Sequence, residues 1–279
     1  MIGAVIGDVA GSVYEFSNIK TKKFPLLSPH CNYTDDTLMT IAVADALREA
    51  GRSPDLSEHM AASMIRTARH FPIPTGVGGY GHSFMKWLNK AKYVKTPKPY
   101  NSYGNGSAMR ASPCGEYADT LDEALRFAEI SAAVTHSHPD GIKGAQAVAA
   151  AVWMAGHGSE KAEIREYIGS NFYALDRTVD EIRPDYRFEI ACGKTVPPAL
   201  IAFLDSVSFE DALRNAISLG GDSDTIADIT CAAAWPFYAR QGVDETMAGL
   251  KESVLALLPE SLRARVENWE NEYGQYSTL

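Results

Sequence analysis

Residues 34–51 have the sequence TDDTLMTIAVADALREAG. Apolar side chains recur at the three- and four-residue spacing of one helical face, at Leu38, Ile41, Ala42, Ala46 and Leu47. Thr34 is suited to cap the first turn, and Gly51 is suited to end the last one. The segment therefore predicts an amphipathic helix over residues 35–50.

The same helical period continues outward from this segment through most of the chain, whereas alternating strand patterns are almost absent. Further helices are predicted near residues 2–14, 55–70, 81–92, 107–112, 120–134, 139–156, 160–169, 197–205, 209–218, 223–240, 244–257 and 259–272. Two stretches rich in proline and turn-forming residues, 15–33 and 93–106, are predicted to be irregular binding loops. We therefore expect an all-α fold, with one compact multi-helix domain over residues 1–279.

Three glycines, Gly3, Gly7 and Gly11, lie four residues apart in the first predicted helix. Residues at this spacing share one helical face, so the helix has a stripe without side chains. We expect another helix to pack closely against this stripe.

The composition is that of an ordinary folded protein, since 46% of the 279 residues are hydrophobic and 22% are charged. Thirty-five acidic residues against 26 Lys and Arg give a formal net charge of −9, which disfavours binding to duplex nucleic acid. The first residues lack a secretory-signal pattern, and no apolar run approaches the ~20 residues that span a bilayer. Four dispersed cysteines argue against a zinc ribbon or a disulfide framework. We expect a cytoplasmic protein without a membrane segment.

Two acidic clusters stand at the starts of predicted helices: Thr34-Asp35-Asp36-Thr37 and Gly220-Gly221-Asp222-Ser223-Asp224-Thr225. Carboxylate and hydroxyl oxygens are the ligands that Mg²⁺ and Mn²⁺ prefer. If the clusters meet, their four aspartates and Glu15 would repel one another, and two divalent cations would nearly neutralise them. The alternative is that Asp35 and Asp222 only cap their helices, which is common at such positions.

Five motifs in this order make the whole chain resemble the ADP-ribosylglycohydrolase family, which includes the dinitrogenase-reductase-activating glycohydrolases. They are Gly7-Asp8-Val9-Ala10-Gly11, Thr34-Asp35-Asp36-Thr37, Gly104-Asn105-Gly106-Ser107-Ala108-Met109-Arg110, His136-Ser137-His138-Pro139 and Gly220-Gly221-Asp222-Ser223-Asp224-Thr225. The resemblance implies an all-α fold with a binuclear Mg²⁺ or Mn²⁺ site. It carries the metal ligands over to Thr34, Asp35, Asp36, Asp222, Asp224 and Thr225.

The resemblance also implies which residues contact ADP-ribose. The glycine-containing loop corresponds to one that lines the ADP-ribose groove, so the candidate contacts are Ser102, Tyr103, Gly104, Asn105 and Gly106, with His136 beside the distal ribose. Free backbone N–H groups at the start of the following short helix could receive a diphosphate. Two alternatives remain: packing for Tyr103, and satisfaction of a helix C-terminus for His136. For Arg110 the alternative to a substrate contact is an ion pair on the helix surface. His138 is expected to have a local structural role.

The predicted activity is metal-dependent hydrolysis of the glycosidic bond between ADP-ribose and a protein side chain, a nucleobase or a small molecule. Asp36 and Asp224 are the candidates to polarise water, and Glu15 resembles a flap glutamate that assists proton transfer; a solvated surface glutamate is the alternative. A non-catalytic ADP-ribose binder is the second hypothesis. A prenyl-diphosphate enzyme is disfavoured because the first cluster lacks the Asp-Asp-x-x-Asp spacing. Variable loops, 15–33 and 71–103, are expected to select the leaving group.

Overall fold

A computed structural model describes residues 1–274 and 276 of the chain. Across these residues it has no named β-sheet, and one isolated bridge joins Gly104 to Ala191. The helices, in chain order, are α1 (Ile2–Gly11), α2 (Asp35–Ala50), α3 (Leu56–His70), α4 (His82–Lys90), α5 (Ser112–Tyr117), α6 (Leu121–Ala133), α7 (Pro139–Gly156), α8 (Lys161–Asn171), α9 (Val179–Ile182), α10 (Cys192–Leu204), α11 (Phe209–Leu219), α12 (Ser223–Ala239), α13 (Glu245–Leu257) and α14 (Glu260–Tyr273). The predicted all-α fold is therefore confirmed.

Most predicted helices match the structure within a few residues, and the helix predicted over 107–112 is wrong. A short 3₁₀ turn, Asn105–Ser107, stands there, and α5 begins only at Ser112. Pro113 lies in the first turn of α5, where its missing N–H costs no hydrogen bond, so it starts a helix instead of ending one. The four-residue helix α9 is too short to produce a periodic signal and was not predicted.

Helix α10 begins five residues before the predicted start at Pro197, because both prolines lie inside the helix. A proline in a helix leaves the carbonyl four residues earlier without its N–H partner. For Pro198 that carbonyl belongs to Lys194, and it accepts a hydrogen bond from Tyr186 Oη at 3.1 Å instead. The hydrogen bond from Tyr186 thus compensates for the backbone hydrogen bond that Pro198 removes. From the sequence alone, this loss argues against a helix.

Helices α1 and α12 form the centre of the fold, and every residue of α1 is buried. The glycine stripe of α1 faces α12: Gly3 lies against Cys231 and Trp235, Gly7 against Ala227, and Gly11 against Ser223 and Asp224. The two helices are therefore antiparallel, and the expected close packing is confirmed. The end of α1 lies beside the start of α12.

The buried hydrophobic side chains form one continuous cluster from Met1 to Trp269. One domain over residues 1–279 stays a prediction, and residues 275 and 277–279 of that range lie outside the described part. None of the helices described is both long and apolar enough to cross a membrane.

Gly7→Ala should destabilise the fold, because a Cβ at this position would overlap the carbonyl oxygen of Ala227 and lie 2.6 Å from the backbone nitrogen of Asp228. We expect the free energy of unfolding to fall by about 2–3 kcal/mol, as is usual for overpacking. Urea unfolding followed by circular dichroism measures this change.

The matched control is Gly249→Ala on the exposed side of α13, where a Cβ would meet no atom within 4 Å. Alanine there should leave stability unchanged or raise it by up to about 1 kcal/mol. Equal stability of the two variants would contradict the close α1–α12 packing.

Candidate functional site

A cavity of about 440 Å³ opens at the starts of α2 and α12, beside the turn that follows α1. This volume lies within the range of nucleotide-sized ligand sites. Its walls contain residues from both acidic clusters, from the loop before α5 and from the segment before α7. Predicted site residues in its lining are Glu15, Asp35, Asp36, Ser102, Gly104, Asn105, Gly106, His136, Asp222, Asp224 and Thr225. Sequence positions separated by most of the chain therefore share one site.

Asp8 on α1 joins the first acidic cluster to the core. Its fully buried carboxylate accepts hydrogen bonds from Thr34 N at 2.9 Å, Thr34 Oγ1 at 2.8 Å, Thr37 N at 3.0 Å and Thr37 Oγ1. Three of these donors meet Oδ2 and one meets Oδ1, so Asp8 is bonded to both threonines through main chain and side chain. Asp8 thus fixes the first turn of α2, from which Asp35 and Asp36 extend.

The second acidic cluster starts α12 and contacts the first cluster directly. Thr225 Oγ1 donates to the two carboxylate oxygens of Asp36 at 3.2 and 3.1 Å, across 189 positions of sequence. Asp222 occupies the N-cap position but makes no side-chain capping bond, and it accepts from Asn105 Nδ2 at 2.7 Å. Thr34, not Asp35, caps α2, as expected. Helix capping therefore does not account for Asp35 or Asp222.

Glu15 lies on the turn after α1, and its backbone is tied to the start of α12 by Asn18. Asn18 Nδ2 donates to the carbonyls of Tyr14 at 2.7 Å, Glu15 at 2.8 Å and Gly221 at 2.9 Å. Gly221 N donates back to Asn18 Oδ1 at 2.7 Å. The Glu15 carboxylate faces the cavity, so Glu15 is not a solvated surface residue.

The pKa is raised for six carboxyl groups around the cavity, those of Asp8, Glu15, Asp35, Asp36, Asp222 and Asp224. Burial is the largest cause for each group. Burial and then the charge of Asp222 raise the pKa of Glu15 to about 7, and burial and then the charge of Asp8 raise that of Asp35 to about 8. The site is therefore short of positive charge.

The donor set fits hard divalent cations. Oxygen atoms of Asp8, Asp36 and Asp224 lie within 4.8 Å of one another, and so do those of Glu15, Asp222 and Asp224. These groups contain only oxygen donors, which favours Mg²⁺-like ions over soft transition metals. Among the described residues, the buried Glu15 Oε2 has no hydrogen-bond partner. A buried carboxylate oxygen without a donor is expected where a cation or a substrate proton completes the site.

The loop before α5 differs from the expectation in one respect, because two of its backbone amides are already paired. Gly104 N donates to Ser102 Oγ at 3.0 Å, and Asn105 N donates to the carbonyl of Ile190 at 2.7 Å. The N–H groups of Gly104 and Asn105 are therefore not free, because Ser102 holds the first and the tertiary fold brings the segment at Ile190 beside the second. Asn105 also connects the loop to the acidic cluster through its bond to Asp222.

His136 faces the same loop and is only 6% exposed. Burial, followed by the charge of Arg110, lowers its pKa well below the usual value, so the ring is neutral. Its Nδ1 lies 2.7 Å from Thr135 Oγ1, which also accepts from Arg110 Nη2 at 2.8 Å. Because that hydroxyl accepts from Arg110, it can donate to Nδ1, which leaves the proton of His136 on Nε2. His138 instead caps α7 by accepting from Asp140 N at 3.1 Å.

Arg110 is fully buried, so the alternative of a surface ion pair is wrong. Its Nη1 donates to the carbonyl of Gly106 at 2.7 Å, and its Nη2 donates to the carbonyl of Ser131 at 2.9 Å. The guanidinium thus holds the loop and His136 in one arrangement. In the sequence, small and apolar residues surround Arg110, and this pattern is the signal for its burial.

Some predicted residues lie away from the cavity wall. Tyr103 is 55% exposed and packs edge-on against His138, with ring centroids 5.7 Å apart. Thr34 is buried beside the cavity, and its hydroxyl is bonded to Asp8. The cavity also contains Phe188 and Ile190, two exposed apolar residues that sequence reasoning missed.

These observations define an all-α protein whose cavity combines a carboxylate cluster suited to divalent cations with a polar loop and a neutral histidine. The family model for ADP-ribosylglycohydrolase matches residues 1–271. The chain belongs to the ADP-ribosylglycohydrolase family.

Known proteins agree with this assignment. The chain is similar to ADP-ribosylhydrolase ARH3 of Mus musculus, at 27% identity over 88% of this chain and 84% of the relative. It is also similar to a protein of Archaeoglobus fulgidus, at 35% identity with 84% of each chain covered, and to ADP-ribosylarginine hydrolase Tri1 of Pseudomonas putida, at 24% identity over 87% of this chain and 70% of the relative. A solved ADP-ribosylglycohydrolase-related protein complex shares the fold, with a TM-score of 0.69, 22% identity and 95% of each chain covered.

Without divalent cations, thermal stability should fall as pH rises. The folded-state pKa values of Glu15 and Asp35, about 7 and about 8, lie above their ordinary values. The folded chain therefore binds more protons than the unfolded chain from about pH 4 to about pH 8, and stability decreases through that window. Melting temperatures measured across this range in a chelator test the direction.

Saturating Mg²⁺ or Mn²⁺ should raise the melting temperature by about 5–10 °C at a cation concentration about 100 times Kd, most strongly at the alkaline end. The double variant Asp222→Asn, Asp224→Asn is the control and should lose most of this gain. A melting temperature that is insensitive to cations at every pH would count against the metal site.

Proposed function

We propose that this protein is a hydrolase that releases ADP-ribose from an acceptor by cleaving the glycosidic bond at C1″ of the distal ribose. The observation that carries the proposal is the direct contact of the two acidic clusters in one cavity, beside the loop at 102–106 and His136. Family membership supports the reaction class and argues against the prenyl-diphosphate alternative. The acceptor is a protein side chain, a nucleobase or a small molecule.

Two divalent cations, Mg²⁺ or Mn²⁺, are the proposed cofactors, and their proposed ligands are Thr34, Asp35, Asp36, Asp222, Asp224 and Thr225. Asp224 is the natural shared ligand because it belongs to both carboxylate groups. When bound, such cations orient ribose hydroxyls and lower the pKa of water. Asp8 lies beside these ligands, and its proposed role is to hold Thr34 and Thr37 at the start of α2.

The remaining chemistry is assigned to side chains of the chain itself. Asp36 and Asp224 orient the attacking water, whose oxygen bonds to C1″ while the bond from C1″ to the acceptor breaks. Glu15 is the proposed proton carrier: it takes a proton from the attacking water and passes this proton to the acceptor atom as the bond to C1″ breaks. Its carboxylate lines the cavity beside Asp222 and Asp224, where the water and the acceptor would be held.

The remainder of the cavity is proposed to hold ADP-ribose. Gly104, Asn105, Gly106 and the hydroxyl of Ser102 line its wall, and Tyr103 is proposed to act at the rim. A neutral His136 with its proton on Nε2 can donate to a ribose hydroxyl. The cytoplasmic location and the lack of a duplex-binding surface stay predictions from the sequence.

The deciding experiment measures release of free ADP-ribose from arginine-, serine- and nucleobase-linked conjugates, with Mg²⁺ or Mn²⁺ and with a chelator. We expect cation-dependent release from at least one conjugate. Asp222→Asn combined with Asp224→Asn should lower that rate by about 100-fold or more, since even partners of metal ligands contribute 10–100-fold.

Asp176→Asn is the matched control, since it makes the same chemical change at an exposed aspartate outside the cavity. It should leave turnover unchanged. Tight binding of ADP-ribose without release from any conjugate would support the non-catalytic binder instead.

A further inference from the structure

The connection between α3 and α4 is rich in glycine and approaches the cavity. Residues 73–81 have the sequence IPTGVGGYG, and Tyr80 from this loop lines the cavity together with Glu15. From the sequence, the wider segment 71–103 was expected to select the leaving group. The structure places one of its glycines against a proposed catalytic side chain.

Gly78 is buried and lies directly against the carboxylate of Glu15. A Cβ at position 78 would overlap Glu15 Oε2 and would lie 2.7 Å from Glu15 Cδ and 3.0 Å from Oε1. The carboxylate therefore occupies space that only glycine leaves open at this position. Non-bonded carbon and oxygen atoms do not approach this closely without displacement.

The backbone of Glu15 has little freedom to move away from the loop. Asn18 bonds to the carbonyls of Tyr14 and Glu15 and makes two hydrogen bonds with the backbone of Gly221 at the start of α12. A clash at position 78 is then relieved by rotation of the Glu15 side chain or by a shift of the α3–α4 loop, and either change separates the carboxylate from its present contact with the loop. Since Oε2 has no hydrogen-bond partner among the described residues, no polar contact at this atom opposes that rotation.

We propose that Gly78 is a positioning residue for the hydrolytic reaction: its missing side chain lets the α3–α4 loop hold the Glu15 carboxylate beside Asp222 and Asp224. The inference rests on the proposed function, in which Glu15 carries a proton. Steric confinement of Oε2 by the backbone at Gly78 then limits the positions that this carboxylate can take.

Gly78→Ala tests the inference with little risk to folding. Neither Gly78 nor Gly249 has a positive φ, so alanine suits the backbone at both positions. The overlap at position 78 is with the end of a flexible side chain, which can rotate away. Gly249→Ala on α13 is the matched control, because it makes the same change outside the cavity and its Cβ would meet no atom within 4 Å.

Steady-state kinetics of the cation-loaded full chain on the best conjugate give the first measurement. We expect Gly78→Ala to lower kcat by about 10–100-fold, part of the usual contribution of a positioned acid or base, with KM changed less than about threefold. Gly249→Ala should stay within about threefold of the wild type in both constants. A normal kcat for Gly78→Ala, or equal losses in both variants, would overturn the inference.

A double-mutant cycle with Glu15→Ala separates positioning from a general structural defect. If Gly78 acts through Glu15, Gly78→Ala should cause no further loss of kcat in the Glu15→Ala background. Additive losses would refute the proposed coupling, because they would mean that the loop affects turnover by another route.

A crystal structure of Gly78→Ala keeps the inference testable if the wild type releases no ADP-ribose. That kinetic result would contradict the proposed function but would not test the positioning of Glu15 by Gly78. A Glu15 carboxylate rotated away from Asp222 and Asp224 in the variant would still support positioning by Gly78, whereas an unmoved carboxylate would exclude it.

Discussion

The contact between the glycine stripe of α1 and the buried helix α12 is the constraint on which the site depends. With Gly3, Gly7 and Gly11 against α12, the two backbones approach closely in an antiparallel arrangement. The end of α1 therefore lies at the start of α12, which carries the second acidic cluster. The turn with Glu15 follows α1 directly, so its position is a consequence of helix packing. A larger residue in the stripe would separate the helices and enlarge the site at once.

The polar contacts of α1 extend the same constraint to α2. Asp8, inside the core, accepts four hydrogen bonds from Thr34 and Thr37, and this fixes the direction in which α2 leaves the site. The result is a high concentration of buried carboxylates, which is unfavourable for an isolated chain. Bound divalent cations would relieve that repulsion, and the stability of the folded chain would then depend on the occupancy of the site.

The other side of the cavity uses buried cationic and neutral donors. Arg110 holds the carbonyl of Gly106 and the hydroxyl of Thr135, and Thr135 orients His136. An acidic region and a region organised by Arg110 thus face one cavity. The isolated bridge at Gly104 and Ala191 connects the region organised by Arg110 to the segment before α10.

The sequence by itself determined the all-α class, most helix boundaries, the close packing at the glycine stripe and the candidate acidic residues, because helical period, caps and glycine spacing are local signals. It could not place the start of α5 or α10, because Pro113 and Pro197 are compatible with more than one position in a helix. Tertiary structure alone decided that Asp222 bonds to Asn105 and makes no capping bond, that Arg110 is buried, that the amide of Asn105 is paired with Ile190, and that Gly78 confines Glu15. Each of these depends on segments far apart in sequence, and a local pattern contains no distance between such segments.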